Sequence, residues 1–167
     1  MSIAQSVLPE FDHEMAATRT ILSRVPESRA SWKPHPKSMA LGDLATHLAN
    51  IPMWVSMTLK ETELDINPPG GGGYVPPKFE GQEALLAAFD GNVGGARAAI
   101  ANSSDADFMV PWSLKNGGQT VFTMPRAAVL RTFVLNHLIH HRGQLTVYLR
   151  LNDVPLPNLY GPTADES

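Results

Sequence analysis

Apolar side chains recur at steps of three and four along four stretches of the chain, which is the period of an amphipathic helix. In the last stretch, for example, one face carries Leu130, Phe133, Val134, Leu145 and Leu149. Pro26 ends the first stretch, because proline cannot continue a helix through its interior. The pattern therefore predicts four helices, over residues 8–25, 38–61, 81–102 and 125–152.

The ends of the later helices carry their own signals. Ser38 is a good N-cap for the second helix, and Pro52 interrupts that helix at a potential kink. Pro125 suits the first turn of the fourth helix, where its missing N–H costs nothing.

The connections between the helices differ in character. Residues 67–77 are rich in proline and glycine, and this length suits either a crossover at one end of a bundle or a lid over a site. Residues 109–123 contain two short strand-like runs around Asn116-Gly117-Gly118, which predicts a hairpin. The tail at 154–162 carries leucine and tyrosine, so we expect it to pack back onto the helices.

These elements predict an all-α fold. We expect a four-helix bundle with a long crossover loop between the second and third helices and a small β-hairpin before the fourth. A length of 167 residues is sufficient for a core and favours one domain over residues 1–167.

Composition removes several functional classes. The chain has no cysteine, so thiolate nucleophiles, disulfides, zinc fingers and iron–sulfur clusters are excluded. A net charge of −3 gives no reason to expect a nucleic acid or an anionic membrane as partner. The N-terminus lacks the basic and apolar regions of a signal peptide, and no apolar run approaches a membrane span, so we expect a cytoplasmic protein.

The histidines carry the candidate chemistry. His137 and His141 are four residues apart in the fourth helix, so they share one face about one turn apart. His47 lies on the apolar stripe of the second helix. If the two helices are neighbours, three imidazoles converge on one divalent metal ion and leave coordination positions open. The alternative is that each is an ordinary core histidine with its own hydrogen bond.

Other polar residues near this motif are assigned more modest roles. Gln144 could reach the edge of the site and hold a water or substrate oxygen, or simply end the stripe. His140 lies too far around the helix to join the same site. Arg142 points away from the histidine face and is expected to form an ion pair or an interface contact. Asp12 and Glu14 are not counted as ligands, because either would reach the core only if the first helix were rotated against its stripe.

Several familiar motifs are missing. Gly70 to Gly73 lacks the flanking strand and the Lys-Ser/Thr of a phosphate-binding loop, and no Gly-x-Ser-x-Gly elbow occurs. The histidine helix has no glutamate of the zinc-protease pattern, and paired Glu-x-x-His units of di-iron bundles are absent.

The segments at residues 38–48 and 136–145, with the closing runs at 152–157 and 160–162, resemble the DinB-like (DinB/YfiT) superfamily. The resemblance extends over nearly the whole chain and implies a four-helix bundle that pairs into a homodimer. It also implies a divalent metal, nickel or zinc, on three histidines, which correspond here to His47, His137 and His141. Similar proteins include transferases and isomerases that use low-molecular-weight thiols.

The leading hypothesis is therefore a metal-dependent enzyme acting on a small electrophilic substrate, with a thiol-dependent S-transferase as first choice and a metal-dependent hydrolase next. We expect apolar pocket walls from Trp54, Phe133 and Tyr148. Access to the pocket would be limited by residues 67–77, hereafter the glycine-rich loop, and by the C-terminal tail. The rival classes are a non-catalytic bundle that binds a metal or small ligand, and a helical bundle whose histidines bind nothing.

Overall fold

The computed structural model describes residues 1–166, which form a mostly helical fold with a small three-stranded sheet. Its helices are α1 Ile3–Leu22, α2 Leu41–Asn50, α3 Met53–Lys60, α4 Gln82–Asn102, α5 Asp105–Met109, α6 Arg126–Val129 and α7 His137–Arg150. A 3-10 turn spans Glu27–Arg29, and a π-helical segment spans Leu130–Asn136. The strands are β1 Glu63–Asp65, β2 Pro111–Asn116 and β3 Gln119–Pro125.

The long helices share one apolar core. Helix α4 packs against α1, α2 and α3, and α7 packs against α1 and α2. Fully buried side chains from each of them meet there, including Phe11, Leu48, Phe89 and Leu145. All four predicted helical stretches are thus present, because each presents one apolar stripe that is stable only when buried.

The predicted second helix is two helices. It breaks at Ile51-Pro52 into α2 and α3, because Pro52 has no N–H to donate and its ring collides with the preceding turn. The prediction that it begins at Ser38 was also wrong. The amides of Leu41 and Gly42 donate to the carbonyls of Trp32 at 2.9 Å and Ala30 at 2.8 Å, so no side-chain cap is needed.

The sheet extends the predicted hairpin. Strands β2 and β3 pair antiparallel, as expected, around the turn at Gly117 and Gly118, whose φ values of 63° and 80° suit glycine. Strand β1 adds in parallel to β2 and makes the sheet mixed, which an all-α prediction with a hairpin did not include. The carboxylate of Asp65 accepts the amides of Gly117 at 3.0 Å and Gly118 at 2.6 Å and so ties β1 to the turn.

The C-terminal tail packs back onto the helices, as the sequence predicts, because Val154 and Leu156 contact the apolar core. Ion pairs at the end of the chain add to this. Arg24 forms an ion pair with Glu166 at 2.5 Å, and Arg150 forms one with Asp165 at 2.5 Å. No helix within residues 1–166 combines the length and apolar character that crossing a membrane requires.

Candidate metal centre

Three histidines from two helices meet beside the core. Nε2 of His137 lies 3.2 Å from Nε2 of His47 in α2 and 2.8 Å from Nε2 of His141 in α7. One nitrogen of each ring lies within 4.8 Å of the other two. All three side chains are half-buried. The structure therefore brings together the three histidines that the sequence singled out, in a cluster compatible with a divalent metal ion.

Packing of α2 against α7 places this cluster, hereafter the histidine trio. His47 sits one turn from the fully buried Leu44 and next to the fully buried Leu48, so the core holds α2 in this rotation. On the other side, Leu138 and Leu145 anchor α7 in the same core. The imidazoles project from the edge of a fixed interface.

The π-helical segment ends immediately before His137. The backbone N–H of His137 donates to the carbonyl of Val134, three residues earlier. In an α-helix it would donate to the carbonyl of Phe133, four residues earlier. The Phe133 carbonyl is instead 3.4 Å from Nδ1 of His137. Single π-turns are frequent at functional sites, because they shift the register of the residues that follow. A regular apolar period over 125–152 did not predict this change of helix type.

Gln144 orients the second histidine of α7. Its Oε1 lies 2.7 Å from Nδ1 of His141, and its Nε2 lies 3.1 Å from Nε2 of His140. The amide can accept at one end and donate at the other, which assigns the Nδ1 proton to His141. Gln144 thus contacts a ring of the trio at the edge of the site, where the sequence left open a polar residue that holds a water or substrate oxygen and one that only ends the stripe. His140 lies outside the trio, as expected.

The trio is electrically suited to a cation. Burial lowers the pKa of His47 to about 4, with further lowering by His141 and His137. Burial likewise lowers the pKa of His137, with a second contribution from His141, and burial lowers that of His141 against the opposing hydrogen bond from Gln144. The rings are therefore neutral near pH 7.

The partners of the Nδ1 atoms suit a metal at the Nε2 atoms. In the tautomers that direct Nδ1–H of His137 and His141 at the Phe133 carbonyl and at Oε1 of Gln144, both Nε2 atoms, 2.8 Å apart, carry lone pairs that a shared cation would satisfy. Metal-binding histidines donate their second N–H to a carbonyl or an amide in this way. The residues present thus fit a divalent ion.

A cavity of about 410 Å³ opens beside His47 and His137. Trp54 and Phe133 form part of its wall, as the sequence predicts. The glycine-rich loop contributes Tyr74, whose ring meets that of Trp54 edge-on at a centroid distance of 5.7 Å.

Two predicted boundaries of the cavity were wrong. Tyr148 is not in the wall, because its hydroxyl donates to the carbonyl of Met39 at 3.4 Å and its ring packs edge-on against Trp32. The C-terminal tail does not border the cavity either. It lies against α1, where the hydroxyl of Tyr160 donates to Glu14 at 2.7 Å.

The sheet supplies the part of the wall that sequence reasoning missed. Trp112 and Leu114 point to the same face of β2, and Phe122 is the cross-strand partner of Leu114. Trp112 and Leu114 are two residues apart in a strand and therefore share a face, which indicated an apolar face on β2. The sequence of a six-residue strand does not show what that face packs against, so the contact with the cavity was not predicted.

Arg142 forms the predicted ion pair, on the side of α7 away from the trio. It is 1% exposed, and its guanidinium pairs with the Glu14 carboxylate at 2.5 Å and donates to the Glu14 carbonyl at 2.9 Å. Glu14 is not a member of the histidine trio, as expected, but it is buried without any rotation of α1. Its position between Phe11 and Thr18 on the buried stripe was the signal for this. Asp12 pairs with Arg97 at the surface.

Several known proteins are similar to this chain in sequence or in fold. The chain is 23% identical over 159 residues to the uncharacterized protein YrdA of Bacillus subtilis strain 168, a match that covers 95% of this chain and 89% of YrdA. A crystal structure of a DinB-like protein from Bacillus cereus ATCC 10987 is similar with a TM-score of 0.72 and 22% identity, over 95% of this chain and 98% of the other.

The DinB-like protein YjoA of Bacillus subtilis has the same fold, with a TM-score of 0.68 and 17% identity over 97% of this chain and 99% of the other. The sequence model of the DinB superfamily matches residues 10–145, a span that contains the whole histidine trio. The resemblance noted from the sequence motifs is thereby confirmed, and the chain belongs to the DinB superfamily.

Proposed function

We propose that His47, His137 and His141 hold a divalent metal ion, nickel or zinc, and that the protein is a metal-dependent enzyme. The observation that carries this proposal is the convergence of three imidazoles, with Nε2 of His137 at 2.8 Å from Nε2 of His141 and at 3.2 Å from Nε2 of His47. Imidazole suits both ions, and the chain has no cysteine thiolate that would compete.

The surrounding residues hold the ligands in place. Gln144 and the carbonyl of Phe133 each bind an Nδ1 atom, so the Nε2 atoms of His141 and His137 stay free to coordinate. The trio contains no carboxylate, so three neutral ligands leave the ion its full charge. An ion in this position would increase the electrophilicity of a bound substrate and lower the pKa of a bound water or thiol.

For the reaction we propose transfer of a low-molecular-weight thiol to a small electrophilic substrate: the sulfur bonds to the electrophilic carbon, the S–H proton passes to solvent, and the leaving group departs with its bonding electrons. Three protein ligands leave room for the thiol and the substrate together, and the cavity beside His47 and His137 provides a place for the substrate. Hydrolysis is the neighbouring alternative, in which water takes the place of the thiol.

The decisive experiment combines metal analysis with a thiol assay. Protein purified without a histidine tag should contain close to one nickel or zinc ion per chain, lose it to a chelator and regain it on addition. The loaded protein should then accelerate the reaction of a low-molecular-weight thiol with an activated aryl halide, and His141→Ala should not. Less than a few tenths of an ion per chain after reconstitution would contradict the metal site. Turnover that needs no thiol would favour the hydrolase.

We further propose that the helices act as a four-helix bundle of a single domain, formed by α1, α2 with α3, α4 and α7 with its π-helical segment. The family membership supports a homodimer with a small-molecule substrate. Sedimentation equilibrium should give twice the chain mass of 18.1 kDa. A mass equal to one chain at micromolar concentration would contradict the dimer.

A further inference from the structure

The cavity beside the histidine trio has an aromatic wall. Five rings from α3, the glycine-rich loop, the sheet and the π-helical segment line it: Trp54, Tyr74, Trp112, Phe122 and Phe133. Those of Phe122 and Phe133 stack at a centroid distance of 4.6 Å and an angle of 22°. The chain has only twelve aromatic residues, so this is a concentration of flat apolar surface at one place. Such a wall offers planar contacts to a planar ligand.

The same wall carries no charge. Within the described part of the chain, no Asp, Glu, Lys or Arg side chain lines this cavity, and its only titratable groups are His47, His137 and Tyr74. Taking an unpaired charge out of water is costly, so a ligand whose body is anionic would find no partner here. Aromatic rings attract cations, but an ion held by the trio would repel a cationic ligand beside it.

Two buried polar atoms in the wall have no partner. Oγ1 of Thr58 and Nε1 of Trp112 are both buried without a hydrogen bond, although both side chains line the cavity. A ligand oxygen that met either atom, after a shift of its side chain, would recover the free energy that an unpaired buried group loses. Asn67 and Tyr74 also line the cavity, but each has a hydrogen-bond partner in Asn116 or Asn50. The two unpaired atoms therefore favour a ligand with one hydrogen-bonding group over a plain hydrocarbon.

From these observations we propose that the cavity binds the body of the substrate, and that this body is an uncharged aromatic ring system carrying a hydrogen-bonding oxygen. Its reacting end lies towards His47 and His137, where the cavity meets the trio. The reacting end and the exclusion of a cationic body rest on the proposed function, whereas the aromatic class of ligand and the lack of a partner for an anion rest on the cavity alone. An uncharged aromatic electrophile is therefore the substrate class.

The test compares three probes of one shape on the full-length protein. 2-Naphthol, 2-naphthalenesulfonate and 2-naphthyltrimethylammonium differ in charge but share the ring system. Isothermal titration at pH 7 should show 2-naphthol binding at least about tenfold more tightly than the sulfonate to chelator-treated protein, and at least about tenfold more tightly than the trimethylammonium to metal-loaded protein. Equal or tighter binding of the sulfonate to the chelator-treated protein or of the trimethylammonium to the metal-loaded protein, or no binding of 2-naphthol at millimolar concentration, would overturn the proposal.

Two conservative variants test the hydrogen-bonding group. Thr58→Val keeps the shape of the side chain and removes the hydroxyl, and Trp112→Phe removes the N–H. At least one of them should reduce the preference for 2-naphthol over naphthalene by about fivefold, the loss of one net hydrogen bond. Val121→Ala, in the same sheet but 59% exposed, should leave the preference unchanged. An unchanged preference in both cavity variants would refute the hydrogen-bonding part.

Failure here and failure of the metal site give different results. His141→Ala should lose the metal and still bind 2-naphthol, because His141 does not line the cavity. A protein that binds the metal but not the neutral probe would refute only the substrate class. A protein that binds the probe but no metal would refute only the proposed function.

Discussion

Nδ1 of His141 lies 2.7 Å from Oε1 of Gln144, one turn further along the same helix. Because the amide oxygen can only accept, the imidazole must place its proton on Nδ1 and leave a lone pair on Nε2. That nitrogen is the one that faces His137. The contact thus determines which atom of His141 is available to a metal, although Gln144 itself does not belong to the trio.

Replacing Gln144 with alanine should weaken metal binding by about 10- to 100-fold, because removal of an orienting partner frees the ring to rotate and to change tautomer. Competition with a chromophoric chelator measures the affinity. His140→Ala is the matched control, since it removes the other partner of the same amide and leaves the His141 contact intact. Equal losses from the two variants would mean that Gln144 acts through general packing.

His47→Ala and His141→Ala should each lose most of the bound metal, whereas His140→Ala should keep it. A missing ligand removes a coordinate bond, so its effect should exceed that of the missing amide. The measurement is metal content per chain after reconstitution and gel filtration, with circular dichroism to establish that each variant is folded. Comparable loss from His140→Ala would show that the ligand set includes a different ring.

Acid should destabilise the metal-free protein in a window set by His47. The pKa of His47 lies at about 4 in the folded chain, below the ordinary 6.5, because burial penalises the charged ring. The unfolded chain then binds more protons between these values, so the free energy of unfolding decreases as pH falls from about 6.5 through about 4. Urea denaturation at several pH values measures this dependence.

The free energy of unfolding of His47→Gln should change less between about pH 6.5 and about pH 4 than that of the wild-type protein. His35→Gln is its control, because His35 is exposed and does not belong to the trio. The same slope in the unchanged chain and in His47→Gln would assign the acid sensitivity to other groups.

Breaking the buried Arg142–Glu14 pair should cost about 3–5 kcal/mol of unfolding free energy, because the remaining charge stays buried without a partner. Glu14→Gln is the conservative variant, and chemical denaturation gives the loss. The double variant Glu14→Leu with Arg142→Met should recover most of it, since an apolar pair of similar volume avoids the desolvation penalty.

Asp12→Asn provides the matched control for that experiment. Asp12 also lies in α1 and also pairs with an arginine, Arg97, but both side chains are largely exposed, with 43% and 53% of their surface open to solvent. Its loss should cost far less than the loss of the buried pair, because solvent screens an exposed ion pair. If Glu14→Gln were as mild as Asp12→Asn, burial would not govern the energy of the Arg142 pair.

Local pattern was enough to predict the helical stretches and the three histidines that cluster. A stripe every three to four residues can be stable only as a buried helix face, so the stretches that became α1, α4 and α7 were readable without a structure. His47 was recognisable because it stood on such a stripe. The His137/His141 spacing places two rings on one face whatever the fold around them.

Tertiary packing decided which helix and sheet faces meet. Three features join residues far apart in sequence: the parallel pairing of β1 with β2, the ion pair between Glu14 and Arg142, and the face of the sheet that lines the cavity beside the trio. No short-range period records such contacts, because a three-residue strand or a single buried charge has no repeat of its own. The histidines were visible in the sequence, and the uncharged aromatic cavity beside them exists only in the folded chain.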